Sequence, residues 1–141
     1  MSSPLLARFC QIYQGLNSDN LDLLSEVYSE QVQFRDPLHE INGLIQLRGY
    51  FQHLYSNLQL CHFDITEVIE QGEQASIIWT MHYAHPKIAS GKTIVVHGAS
   101  HLSFSDKIDY HRDYLDLGEM LYEHLPLLST LVKVIKKRAR Q

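Results

Sequence analysis

The spacing of apolar residues changes at Cys61, from a helical period before it to a period of two after it. Before Cys61, apolar residues recur three and four positions apart, which predicts amphipathic helices over residues 4–16, 21–28 and 44–58. After Cys61, apolar and polar residues alternate, which is typical of β-strands. The predicted strands cover residues 63–69, 75–85, 93–104 and 107–115.

A fifth, short strand over residues 32–36 stands between the second and third helices. Helices that precede four consecutive antiparallel strands predict an α+β fold, in which the helices cover one face of the sheet. The 141 residues are enough for one domain with a substantial apolar core. We therefore predict a single domain over residues 1–141, in which residues 117–141 form a helical C-terminal extension.

The strand over residues 75–85 carries apolar side chains on both of its faces. A sheet with helices on one face and an apolar second face usually covers that second face with a partner subunit. The alternative is that the C-terminal segment folds back over it. We expect a homodimer through the outer face of the sheet, with the contributing residues Trp79, Met81, Tyr83 and His97.

Charge and composition exclude several classes of protein. The formal net charge of −4 argues against a general nucleic-acid binder, which would carry a basic surface. The N-terminal residues lack a basic stretch followed by a continuous apolar run, so we expect no signal peptide. Cys10 and Cys61 are too few for a disulfide scaffold and suit a reducing compartment. We expect a cytoplasmic protein.

The nine histidines form no set with the spacing of metal ligands. His97 and His101 are four residues apart on one strand, which separates them by roughly 13 Å. His82 and His85 point to opposite faces. The chain also has no phosphate-binding glycine loop and no G-x-S-x-G motif. We expect no metal and no cofactor, so any catalysis would be acid–base chemistry.

Two motifs stand at the ends of predicted strands: Phe34-Arg35-Asp36-Pro37, and the stretch HRDYLDL over residues 111–117. With the order of helices and strands, these motifs resemble the NTF2-like superfamily, and within it the SnoaL-like and limonene-epoxide-hydrolase-like branch. The resemblance implies a cone, in which a strongly bent, mostly antiparallel sheet wraps against the N-terminal helices around a deep pocket. Members often dimerise through the outer sheet face, in agreement with the homodimer expected above.

The resemblance also implies roles for individual residues. It places the base of the epoxide hydrolases on Asp113 and a second polar group of the pocket on Asp36. Those hydrolases also use an Arg-x-Asp pair on the central strand, where this chain has His82 and Ala84. Because this departure removes a cation and a carboxylate, it disfavours epoxide hydrolysis by the family mechanism.

We predict that Asp36, His82 and Asp113 converge in the cone as the catalytic acid–base groups, since an Asp–His contact in a dry pocket orients an imidazole for proton transfer. In the ketosteroid-isomerase branch, Asp36 would resemble the base, and Tyr13 or Tyr50 its donor. The predicted ligand-binding residues are Phe34, Tyr50, Ile78, Val96, Gly98, Ser100 and His111.

Two functions remain open from the sequence. In the first, the pocket binds a small, largely apolar molecule and acts on it by acid–base chemistry of the isomerase, hydrolase or cyclase kind. In the second, the chain is a non-catalytic, dimeric interaction or regulatory module of the same fold. A structural role for Asp113, in a buried pair that anchors the sheet, also stays open. An open cavity favours the first function, and a cone filled by Phe34, Tyr50 and Phe51 argues against it.

The C-terminal residues 127–140 combine an apolar helical stripe with five basic residues. Cations near a helix C-terminus interact favourably with the helix dipole, so a solvated helix end is the simpler interpretation. A basic amphipathic helix that contacts an anionic membrane or a partner protein is the alternative.

Overall fold

The computed structural model describes residues 3–120 and 126–140. The predicted extension over residues 117–141 therefore includes residues 121–125 and 141, which lie outside the described residues. The helices of the described part are α1 (Pro4–Gly15), α2 (Leu44–Asn57), α3 (Leu117–Met120) and α4 (Pro126–Ala139), with short 3-10 helices at Leu21–Glu26 and Ala89–Gly91. The strands are β1 (Tyr28–Arg35), β2 (Glu40–Asn42), β3 (Leu60–Gln71), β4 (Gln74–Ala84), β5 (Ile94–Phe104) and β6 (Ile108–Leu115).

The six strands form one mixed sheet in the order β2-β1-β6-β5-β4-β3. Strands β3 to β6 pair antiparallel in sequence, as predicted for the second half of the chain. Strand β1 pairs in parallel with β6, where Phe34 lies opposite His111, and β2 pairs antiparallel with β1. The predicted α+β architecture is confirmed, and the parallel pairing brings the end of β1 beside the end of β6.

The helices cover one face of this sheet with their apolar residues. In α1, the hydroxyl of Ser3 accepts the N–H of Leu6 at 3.4 Å, and Pro4 occupies the first turn, where a missing N–H costs nothing. The buried side chains of α1 include Phe9 and Ile12, which follow the predicted helical spacing. Helix α2 buries its apolar face in the same core.

Two local predictions were wrong near the start of the sheet. Residues 21–28 form only a 3-10 helix at Leu21–Glu26, and β1 begins at Tyr28, four residues before the predicted start. Tyr28 is buried, but the next three residues are polar and the pairing with β6 changes register between Tyr28 and Gln33. This irregularity hides the alternation that would identify the strand.

The inner and outer faces of β4 are the reverse of those predicted. Trp79, Met81 and Tyr83 are buried on the inner face, against the helices, so their predicted place in an outer interface is wrong. Ile78 and His82 lie on the outer face and are half-buried. The reason is that the more apolar face of a strand packs on the core, and the other face of β4 carries polar groups.

The outer face keeps one predicted member, since His97 is exposed on β5. The prediction of a homodimer through this face is untested. Helix α4 presents a largely exposed surface with basic residues near its end. None of the helices in residues 3–120 and 126–140 has the length and the apolar run that crossing a membrane requires.

Gly98 of β5 lies directly beneath the indole of Trp79, its partner in the β4–β5 register. A Cβ added at Gly98 would lie 2.7 Å from Cζ2 and 2.8 Å from Cζ3 of that ring. We expect Gly98→Ala to lower the free energy of unfolding by roughly 1–3 kcal/mol, because the ring must move out of a packed position. Urea denaturation measures this change.

Gly49 provides the matched control, because it lies within α2 and a Cβ there would meet no atom within 4 Å. Gly49→Ala should stabilise the protein by roughly 0.5–1 kcal/mol through its better helix propensity. Equal small effects at the two positions would contradict the packing of Trp79 on Gly98.

Candidate functional site

A cavity of about 250 Å³ opens between the helices and the inner face of the sheet. Two carboxylates, those of Asp36 and Asp113, and the imidazole of His39 line it, and no lysine or arginine is among its described lining residues. The aliphatic lining comes from the loop after β1 and from α2, β4, β6 and α3. Aromatic rings form much of the remaining wall: Tyr13, Phe34, Tyr50, Phe51, Phe63 and Trp79.

Asp113 holds a buried carboxylate at the edge of this cavity, with only 8% of the residue exposed. Its Oδ1 accepts the hydroxyl of Ser100 at 2.5 Å and lies 2.7 Å from Nε2 of His111. No residue in the described part of the chain donates a hydrogen bond to Oδ2. One carboxylate oxygen is therefore fixed by the protein, and the other remains available as an acceptor.

The direction of the hydrogen bonds on one side follows from Trp79. The indole N–H can only donate, and Nε1 lies 2.9 Å from Oγ of Ser100. The hydroxyl of Ser100 therefore accepts a hydrogen bond from Trp79 and donates one to Oδ1 of Asp113. Both Ser100 and Trp79 are buried, so these two hydrogen bonds replace the water that a carboxylate would otherwise bind.

The other side of the network runs through His111 to Tyr28. Both residues are fully buried, and the hydroxyl of Tyr28 lies 2.7 Å from Nδ1 of His111. Burial, then the nearby Asp113 charge, raises the pKa of Tyr28 well above its ordinary value, against a smaller opposite effect of a hydrogen bond with Tyr13. Tyr28 therefore keeps its proton, and its hydroxyl pairs with Nδ1 of His111. The other ring nitrogen, Nε2, pairs with Oδ1 of Asp113, so the imidazole is held at both nitrogens.

Asp36 lies at the rim of the cavity, and both of its oxygens have donors. Oδ1 accepts the N–H groups of Leu38 at 2.8 Å and His39 at 2.7 Å, a turn that Asp side chains favour. Nδ1 of His39 lies 3.0 Å from the same oxygen, and the hydroxyl of Tyr50 donates to Oδ2 at 3.2 Å. Burial and then the Asp36 charge raise the pKa of Tyr50, which keeps it a donor.

The structure brings together some of the predicted site residues and separates others. Asp36, Asp113, Phe34 and Tyr50 all line the cavity, and their roles in binding or catalysis remain predictions. His82 does not converge with them, so that prediction was wrong. The Nε2 of His82 lies 3.1 Å from Oδ2 of Asp64 on the neighbouring strand β3, on the outer face of the sheet.

Five predicted ligand-binding residues have other positions. Ser100 and His111 lie behind Asp113 and hold its carboxylate, rather than lining the cavity. Val96 is buried in the core, and Gly98 is covered by the indole above it. Ile78 lies on the outer face of β4, outside the cavity, because the two faces of this strand are the reverse of those predicted.

Sequence reasoning missed Trp79 as a cavity residue and Tyr28 as a partner of His111. The first could have been found from β4 alone, because Thr80 and His82 mark its less apolar face. No sequence signal would have found Tyr28, since its contact with His111 depends on the parallel pairing of β1 with β6. Within the described residues, no three His, Cys, Asp or Glu side chains are grouped closely enough to hold a metal ion.

Replacing Ser100 with alanine tests the network behind Asp113. The change removes a donor to the carboxylate and leaves the Trp79 N–H without its acceptor. We expect the free energy of unfolding to fall by about 1–3 kcal/mol, measured by urea denaturation, and the emission of the single tryptophan to change. Ser76→Ala, on the outer face of β4, is the control and should cost less than about 0.5 kcal/mol. Equal losses in the two variants would refute the network.

Comparison with solved structures finds the same fold at low sequence identity. A hypothetical protein with a ketosteroid isomerase-like fold from Catenulispora acidiphila, solved in complex with trimethylamine, has a TM-score of 0.74 and 16% identity, over 88% of this chain and 94% of that chain. A putative SnoaL-like polyketide cyclase from Jannaschia has a TM-score of 0.73 and 13% identity, over 88% and 96%. A putative polyketide cyclase from Acidithiobacillus ferrooxidans has a TM-score of 0.72 and 17% identity, over 91% and 98%.

Comparison with curated proteins finds no match. The model of the SnoaL-like domain family, in contrast, matches residues 9–111, which is most of the chain. The matched range includes most of α1, the first motif at residues 34–37 and the strands that carry Trp79 and Ser100, and it ends at His111, the first residue of the second motif. With the mixed sheet, the covering helices and the cavity described above, this match shows that the chain belongs to the SnoaL-like domain family and has the NTF2-like fold.

Proposed function

We propose that this protein binds a small, largely apolar molecule in its cavity and transfers a proton with Asp113 as the acceptor. One observation carries the proposal: Asp113 is buried, yet its Oδ2 has no donor among the described residues and the side chain borders an open cavity. Oδ2 is not one of the fully buried side-chain atoms without a partner in the described part of the chain, so it is accessible from the cavity. A donor group of a bound ligand can therefore reach it.

The partners of Oδ1 support a role in proton transfer. Ser100 and His111 hold the carboxylate from behind, so its orientation is set before a ligand enters. A preoriented base is a common arrangement for acid–base catalysis. The apolar walls favour a ligand with a hydrocarbon body and a single polar group.

Asp36 is less suited to the same role, because both of its oxygens already accept hydrogen bonds. Tyr50 and His39 hold it at the rim, where His39 is half-exposed. In this proposal Asp36 holds Tyr50 and His39 in place at the mouth of the cavity, and Asp113 accepts the proton.

The proposed reaction class is that of isomerases and cyclases rather than epoxide hydrolases. With His82 on the outer face and alanine at position 84, the cation and carboxylate of the hydrolase pair are missing from the cavity wall. Two structural neighbours are named as putative polyketide cyclases, a chemistry that proton transfer at a preoriented carboxylate would suit. The cavity itself favours this function over an interaction module without a ligand.

Binding can be measured through Trp79, because it is the chain's single tryptophan and lines the cavity. We expect compounds with one aromatic ring and one polar group to change its emission and raise the melting temperature of the wild type. Compounds that bind are then incubated with the protein and followed by proton NMR for conversion. Asp113→Asn should abolish the conversion.

Asp64→Asn is the matched control, because it also removes a carboxylate but on the exposed outer face of β3. This variant should bind and convert the same compounds as the wild type. Conversion that survives in Asp113→Asn would remove Asp113 as the proton acceptor. Failure of every compound to affect Trp79 would overturn the cavity as a binding site.

We also propose that a second copy of the chain covers the outer face of the sheet. The support is the exposure of Val95 (41%) and Tyr114 (55%) there. In addition, the Nε of Arg112 is buried and has no hydrogen-bond partner among the described residues. Sedimentation velocity should show a dimer for the wild type and a monomer for Val95→Asp, since a charge would enter the interface. Ile45→Asp, at an apolar residue that is 91% exposed on α2, should remain dimeric. A monomeric wild type would exclude this interface.

A further inference from the structure

The charges around the cavity are unbalanced. Asp36 and Asp113 both line it, and neither a lysine nor an arginine is found among the described lining residues. At the rim, Nδ1 of His39 lies 3.0 Å from Oδ1 of Asp36, and a histidine is a partner that can carry a positive charge. Asp113 has Ser100 and His111 on Oδ1, and no side chain in the described part of the chain pairs with Oδ2, the oxygen left to the cavity.

The aromatic walls of the cavity also favour a positively charged ligand. The aromatic rings that line it lie close to one another, with centroids 4.9 Å apart for Tyr13 and Phe63 and 5.2 Å apart for Phe63 and Trp79. On the other side, Phe34 and Tyr50 are 5.5 Å apart. The faces of aromatic rings carry negative electrostatic potential and attract cations, most strongly when water is excluded.

From these two observations we propose that the ligand is an organic ammonium ion, with its N–H donating to Oδ2 of Asp113 and its apolar body against the aromatic walls. This inference rests on the proposed small-molecule site and names the chemical class that the site takes. An anionic ligand would bring a further negative charge to the two carboxylates of the cavity, and a neutral ligand would bring no opposite charge to Oδ2.

An ammonium ligand also specifies the proton transfer at Asp113. The N–H bond breaks, an O–H bond forms at Oδ2, and the electron pair of the broken bond stays on nitrogen as the lone pair of a neutral amine. Apolar walls reduce the cost of converting this ion pair into two neutral groups. The site would in this way prepare an amine for attack on a carbon centre without any metal or cofactor.

The size of the cavity limits the ligand. Its volume of about 250 Å³ is just below the range of roughly 300–1,000 Å³ that is common for ligand pockets. One ring with a short side chain is therefore a suitable probe. Benzylammonium, benzyl alcohol and benzoate share one skeleton and differ in charge, from positive through neutral to negative.

Titration of the three probes against the emission of Trp79 at pH 7 tests the inference. We expect benzylammonium to bind at least about tenfold more tightly than benzyl alcohol, and benzoate to bind most weakly. In Asp113→Asn the preference for the ammonium over the alcohol should fall to about twofold or less, whereas Asp64→Asn should keep it. The comparison of probes on the wild type stands even if Asp113→Asn does not fold.

The outcomes separate this inference from the proposed function. If benzyl alcohol binds as tightly as benzylammonium, the cavity is a ligand site but the ammonium class is wrong. If benzoate binds most tightly, the charge assignment of Asp113 is wrong as well. If none of the three probes binds while other neutral compounds do, the inference is overturned and the proposed function stands.

Discussion

The hydrogen bonds that meet at Oδ1 of Asp113 connect the inner face of this fold. They run from Trp79 on β4 through Ser100 on β5 to Asp113 on β6, and from there through His111 to Tyr28 on β1. These four strands are consecutive neighbours in the sheet, so one buried network crosses most of its width. Because each of these groups is buried, each depends on its neighbour for a partner, and a change at one position affects the others.

The same network uses only one of the two oxygens of the Asp113 carboxylate. Oδ1 is used by the protein, whereas Oδ2 has no donor among the described residues. Gly98 contributes to this geometry, because the indole of Trp79 lies over it and reaches Ser100. A larger side chain would move the ring and with it the first donor of the chain. The packing of one aromatic ring is in this way linked to the position of a single acceptor oxygen.

Much of the fold could be predicted from the sequence, because apolar spacing reports local structure. Helices α1 and α2 and the four long strands followed from period alone. The two motifs, together with the order of helices and strands, predicted the family that the match over residues 9–111 shows. The face of β4 was misjudged, because both of its faces contain large apolar residues and only Thr80 and His82 separate them. Tyr28 could not be predicted as a partner of His111, since a parallel pairing between distant strands leaves no local pattern. Asp113 was found from a motif, but its partners depend on tertiary structure.

A crystal structure of the protein with a bound ligand tests the central claim most directly, namely that Asp113 offers Oδ2 to the cavity while Oδ1 is held by the protein. The account predicts a polar atom of the ligand within about 2.7–3.2 Å of Oδ2, with the bonds from Ser100 and His111 to Oδ1 unchanged. A ligand that fills the cavity with no polar atom near Asp113, or a protein side chain that donates to Oδ2 in the complex, would contradict it.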